Sequence, residues 1–113
     1  MNSKYKQSQI DFLQAVAKLI IWAGRNGHDL TLGDGYRAPS VFGPLGVKKG
    51  YGEANSKHKE RLAVDLHLHN DGKYQPNSEA HRPVGEKWES LGGTWGGRFA
   101  KKDGNHYSWG ETR

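Results

Sequence analysis

Two short stretches carry the residue types that do chemistry. His58 to His69, HKERLAVDLHLH, sets three histidines and two carboxylates around an apolar run, and Asp103 to Tyr107, DGNHY, adds another acid and another histidine. His58 and Asp65 stand seven residues apart, so a loop histidine and a strand aspartate can fold to one point, although spacing alone does not force it. His106 can complete the set from a neighbouring strand. Two imidazoles and one carboxylate suit zinc, with a fourth position left for water. Asp103, three residues before His106, is then placed to take a proton from that water and pass it to a leaving amine.

The same residues also read as polar surface. Six histidines can lie near two acids by chance. Asp65 sits within an otherwise apolar strand, where it needs a partner if buried or faces solvent on an antiparallel sheet. His67 and His69 are rival ligands, and His67, which shares a strand face with Asp65, reads also as a support for a ligand or a flank of the cleft. His69 lies further along and reads as solvated, and His28 and His81 belong to no motif.

The elements that must position these groups are few. A chain of 113 residues fits one domain, 1–113, with one modest core. The apolar content of 34 % keeps that core small, so a bound metal could supplement it. With no cysteine, disulfides and thiolate zinc sites are excluded, leaving imidazole and carboxylate as transition-metal ligands. The formal net charge of +5 favours a polyanionic partner such as a negatively charged cell wall. The basic residues are spread without a long tract, so nucleic acid is not the expected partner. The N-terminus lacks the apolar run of a signal peptide, and no segment approaches membrane-spanning length. The expectation is synthesis in the cytoplasm, no membrane insertion, and another release route to any outside target.

Ser8 to Gly24 reads as a helix, with Ser8 as N-cap. Ile10, Leu13, Ala17 and Ile20 form its apolar face, widened by Phe12, Val16, Leu19 and Ala23. Leu30 and Leu32 alternate with polar neighbours as a short strand leading to Tyr36 and Arg37. Residues 39–57 read as a long glycine-rich loop, either functional or a surface excursion. Leu62 to His69 is the clearest strand, with Val64, Leu66 and Leu68 on one face and Asp65, His67 and His69 on the other. Asn70 to Gly72 reads as a turn, with a strand crossing back near Tyr74. Arg82 to Leu91 reads as a second helix burying Val84, Trp88 and Leu91. TWGGRF follows as a short extended segment, and Asn105 to Trp109 as the last strand. Trp88 and Trp95 read as core, with sugar platforms as the alternative. Tyr107 and Trp109 face away from His106. The C-terminal GETR reads as frayed.

SKHKERLAVD, Ser56 to Asp65, resembles the Ser-x-His-(six residues)-Asp signature of the zinc D,D-carboxypeptidase and L-alanyl-D-glutamate endopeptidase family (peptidase M15, VanY-like). GGTWGGRF, Gly92 to Phe99, with DGNH, Asp103 to His106, resembles its second signature, and DGYRA, Asp34 to Ala38, its earlier Gly-Tyr-Arg motif. The three blocks occur in the family's order and cover the C-terminal half best. The resemblance implies zinc held by His58, Asp65 and His106, with Asp103 as general base. It implies Arg37 as the group that binds a substrate carboxylate or polarises the scissile carbonyl, a task suited to a planar guanidinium. A salt bridge supporting the loop is the alternative for Arg37. Ser56, the other candidate at the substrate, reads as ordering the His58 loop rather than as a nucleophile. Many relatives carry glycine where Arg61 stands, so Arg61 either fills the cleft rim or marks a different loop path.

The expected fold is a small α+β domain, with helices packed on one side of a small antiparallel sheet and a zinc cleft on the other. The expected activity is a zinc-dependent peptidoglycan peptidase of the phage endolysin type, monomeric, acting on the stem peptide between L-Ala and D-Glu. A D-alanyl-D-alanine carboxypeptidase is the close alternative. A metal-stabilised wall-binding protein without turnover and a metal-dependent nuclease are the more distant ones.

Overall fold

The computed structural model describes residues 3–50, 53 and 56–110. Glu111 to Arg113, most of the stretch expected to fray, lie outside the described residues, as do positions 51, 52, 54 and 55 of the long loop. The fold is small and α+β. Helix α1 spans Ser3–Arg25 and is followed by β1 (Asp29–Leu32), a short helix α2 (Pro39–Phe42), β2 (Ala63–Asn70), β3 (Lys73–Tyr74), α3 (Arg82–Ser90), β4 (Thr94–Trp95) and β5 (His106–Ser108). The sheet runs β1-β2-β5-β4, with β3 also on β2, and its pairings are antiparallel. Asp71 and Gly72 both take positive φ, 52° and 78°, as the two-residue turn joining β2 to β3 requires.

Strand alternation on β2 divides the molecule. Val64, Leu66 and Tyr107 join Phe12, Leu19, Val84, Trp88 and Trp95 in one core cluster. Leu66 and Leu68 are at most 2 % exposed, and each such burial contributes roughly 1.5–3 kcal/mol. Asp65 and His106, offset by one residue from Val64 and Tyr107, point the other way. The Trp88 indole donates to Ser108 O at 3.0 Å and to Thr94 O at 3.1 Å, tying α3 to β4 and β5. Trp88 and Trp95 are thus core residues, 0 % and 1 % exposed.

Several expectations change. Ser8 lies inside α1 rather than at its N-cap, because nothing between Ser3 and Ser8 breaks a helix. The face of α1 that packs inward is Phe12, Val16, Leu19 and Ala23, while Ile10, Leu13, Ala17 and Ile20 are exposed. The aromatic ring decides the choice: Phe12 meets Trp88 edge-on at 5.8 Å, a contact the aliphatic stripe cannot make. Leu32 is 75 % exposed on the edge strand. The long loop contains α2, and TWGGRF is extended only at Thr94–Trp95 before a 3-10 turn at Gly96–Arg98.

His81 is a buried group that the sequence did not flag. It is 2 % exposed, and its Nδ1 lies 2.8 Å from the Tyr107 hydroxyl. Burial, and secondarily the charge of His67, pulls its pKa from 6.5 down to about 4. Between those values the unfolded chain binds a proton that the folded chain refuses, so stability is full above the unfolded pKa and falls as pH drops toward the folded one. The expected loss between pH 7 and pH 4.5 is about 2 kcal/mol. Urea unfolding at both pH values, in chelator, should show that increment in the wild type and not in His81→Gln.

Candidate metal centre

Three segments build the site. The first is a 3-10 turn, Lys57–Glu60, that carries His58. Ser56 caps it, its Oγ accepting from the His58 N–H at 3.2 Å. Arg61 ends it in the left-handed region at φ 60°. A side chain there costs on the order of 1 kcal/mol that glycine avoids. The Arg61 guanidinium lies 4.2 Å from the centre of the Tyr36 ring, a contact that offsets part of the cost. Arg61 thus holds the left-handed conformation that glycine adopts without a steric cost.

The second segment is β2, which carries Asp65. The third is the turn before β5, which carries Asp103 and His106. Asp65 and His106 sit directly opposite each other in the β2–β5 pairing. The turn is fixed from three directions. The Trp95 indole donates to Gly104 O at 2.8 Å, Gly104 N–H donates to Ser78 Oγ at 2.9 Å, and Asp103 N–H donates to Gly96 O at 2.9 Å. Gly96 is required here, since a Cβ would overlap the Asp103 carbonyl oxygen and stand 2.8 Å from His106 Cβ.

Ligand atoms of His58, Asp65 and His106 lie within 4.8 Å of one another, the one group of three or more such residues among the described residues that could hold a metal ion. His58 Nε2 is 3.1 Å and His106 Nδ1 3.6 Å from Asp65 Oδ1. His58 is 1 % exposed and His106 6 %. The hydrogen bonding of His58 tests the fit of a cation. Its Nδ1 lies 2.8 Å from the Gly35 carbonyl oxygen. A carbonyl only accepts, so Nδ1 carries the hydrogen and a neutral ring presents a lone pair at Nε2. That lone pair faces a carboxylate oxygen, an arrangement that calls for a positive charge between them, either a proton or a metal ion. A backbone carbonyl fixing the ring of a ligating histidine is the usual outer support of a metal site. Burial works against the Asp65 charge, but hydrogen bonds and charge from His106 and His58 outweigh it and hold the carboxyl well below its usual range. The donor set therefore fits a divalent ion such as zinc.

Arg37 arrives from the loop after β1. That loop continues alongside β2, with Gly33 N–H donating to Asp65 O at 2.8 Å and Asp65 N–H to Asp34 O at 2.7 Å, and Arg37 N–H donates to His58 O at 3.2 Å. The Arg37 guanidinium is 3.8 Å from Asp65 Oδ2 and 3.5 Å from Asp34, donates to Ser56 Oγ at 3.2 Å, and lies 5.7 Å from the Phe42 ring centre. The Ser56 hydroxyl thus serves both His58 and Arg37.

Asp103 is exposed at the rim. Partial burial of its carboxyl raises its pKa above the ordinary value, Asp65 adds to this, and His106, His58 and Arg37 oppose it. The carboxyl is thus within electrical reach of all four groups. His67 Nδ1 is buried, and the ring packs near Gly33 and Tyr74, outside the three-residue group. His69 bonds Thr31 at 3.0 Å. Gly35 and Phe99, whose ring is 5.5 Å from that of His106, lie within the quoted motifs but have no role assigned there, and Ser78 lies in no motif. Gly35 acts through its backbone, and Ser78 and Phe99 are placed only by the fold.

A search of curated proteins found no match to the chain. A peptidase M15 family model, described as D-alanyl-D-alanine carboxypeptidase, matches residues 49–109, just over half the chain and all three candidate ligands. With those residues gathered on the fold described above, the chain belongs to the peptidase M15 family, a family of peptidoglycan-related hydrolases.

Proposed function

We propose that the protein is a zinc-dependent peptidase that cleaves the D-Ala-D-Ala end of the peptidoglycan stem peptide. The observation that carries this reading is the convergence of His58, Asp65 and His106 inside the segment matched by the D-alanyl-D-alanine carboxypeptidase family. His58, Asp65 and His106 would hold the zinc ion. Bound there, zinc would polarise the scissile carbonyl and lower the pKa of its water. Asp103, with its raised pKa, takes the proton of the attacking water and returns it to the leaving amine. Arg37 supplies a fixed cation beside the group, suited to a substrate carboxylate or to charge developing on the carbonyl oxygen.

Cleavage between L-Ala and D-Glu, as by a phage endolysin acting on the wall after release, is the second reading. The small, basic chain, with its net charge of +5, favours it. The family description favours the carboxypeptidase, and therefore the first reading leads.

The test is digestion of purified sacculi by zinc-loaded protein, with mass analysis of the products. Release of free D-alanine supports the carboxypeptidase, and L-alanine at a new carboxyl end supports the endopeptidase. A chelator-insensitive reaction, or a zinc-bound protein inert on every peptidoglycan type, overturns the zinc-peptidase reading.

A further inference from the structure

Helix α1 carries two apolar faces, and the core uses one. At about 100° per residue, Ile10, Leu13, Ala17, Ile20 and Ile21 fall on an arc facing away from Phe12 and Leu19. Leu13 and Ile21 are 66 % and 56 % exposed. Beside this arc, between α1 and α3, lies a groove lined by Lys18, Ile21, Trp22, Arg25, Lys87 and Leu91. Its floor is apolar and its three ionised residues are all cations. Lys87 Nζ stands 5.8 Å from the Trp22 ring centre, so a positive charge overhangs the apolar floor. From Lys6 to Arg25 the helix carries a single acid, Asp11.

We propose that this face docks on the surface of an anionic lipid bilayer. An apolar stripe edged by cations is the pattern of a helix lying in the interface plane, its apolar side in the headgroup boundary and its cations among anionic headgroups. Of the stripe, only Ile21 lines the groove, so an amphiphile held there would leave Ile10, Leu13 and Ile20 exposed, which favours a surface over a single amphiphile. A second copy of the chain is the poorer occupant. It would bring like cations together across the contact. No helix among the described residues is long and apolar enough to cross a membrane, so the contact is peripheral. The proposal stands independently of the peptidase reading, since none of these residues belongs to the metal site.

The test is flotation of the full chain with vesicles of phosphatidylcholine alone and of phosphatidylcholine with one-third phosphatidylglycerol, at low and high salt. Binding should require phosphatidylglycerol and weaken with salt. Lys18→Gln and Lys87→Gln should each weaken it about fivefold. Ile20→Gln with Ile21→Gln should abolish it, with thermal unfolding and zinc stoichiometry unchanged. Absence of binding, equal binding to neutral vesicles, or full binding by the double glutamine variant overturns the proposal. So does a concentration-dependent dimer that the same double variant dissolves, if no vesicle binding accompanies it.

Discussion

Asp65→Asn is expected to remove metal binding and activity together. The side chain keeps its shape and loses its charge, so the strand pairing that sets Asp65 opposite His106 survives. What disappears is the anion that both imidazoles face at 3.1 and 3.6 Å. Zinc at such a site relies on the carboxylate to offset its charge, and an amide oxygen is a much weaker ligand. The metal's effects on water and carbonyl are worth several kcal/mol, so hydrolysis should fall by more than about three orders of magnitude. Stability provides a separate readout. In the wild type, zinc at 100 times its dissociation constant should add about 2.7 kcal/mol to unfolding free energy. Asp65→Asn should show no zinc-dependent rise in melting temperature while unfolding cooperatively in chelator. A variant that retains one zinc per chain and full activity would remove Asp65 from the ligand set.

The sequence made the second strand and its two faces legible, because apolar and polar residues alternate strictly from Val64 to His69. It also brought out the spacing from His58 to Asp65 and from Asp103 to His106, since each pair lies within a short local segment. It misread α1 because that helix has apolar residues on two arcs. Periodicity alone could not say which arc the core takes. Phe12 and Trp88, far apart in the chain, decide it by meeting edge-on. The supports of the site were also hidden. The Gly35 carbonyl orients His58 through a backbone atom that every residue possesses. Ser78 reaches Gly104 across twenty-six positions, and His81 gains its meaning only when Tyr107 closes over it.

The same separation of roles explains the two arginines near the cleft. Arg37 is held by Asp34, Ser56 and Asp65, with its backbone on His58. Its cation therefore helps to build the site even before a substrate arrives, and the supporting and substrate-binding readings of Arg37 are compatible. Arg61 points instead to Tyr36 and shapes the exit of the His58 turn.

Asp103→Asn should separate catalysis from metal binding. The main chain of Asp103 holds the turn, its N–H donating to Gly96 O at 2.9 Å and its carbonyl accepting from His106 N–H at 3.1 Å. Changing only the side chain leaves those bonds, and with them the position of His106, in place. The residue is exposed but its carboxyl is partly buried, within electrical reach of the candidate ligands and outside their group of three. Its raised pKa moves it toward the value at which a base both accepts and returns a proton. An amide cannot accept that proton, so kcat on a purified muropeptide should fall about 100- to 10,000-fold. Zinc stoichiometry and melting temperature should remain those of the wild type. Loss of zinc would place Asp103 among the ligands, and unchanged kcat would move the proton transfer to another group. The predicted pattern, metal kept and turnover lost, is the reverse of a merely structural role and differs from Asp65→Asn, where metal and turnover fall together.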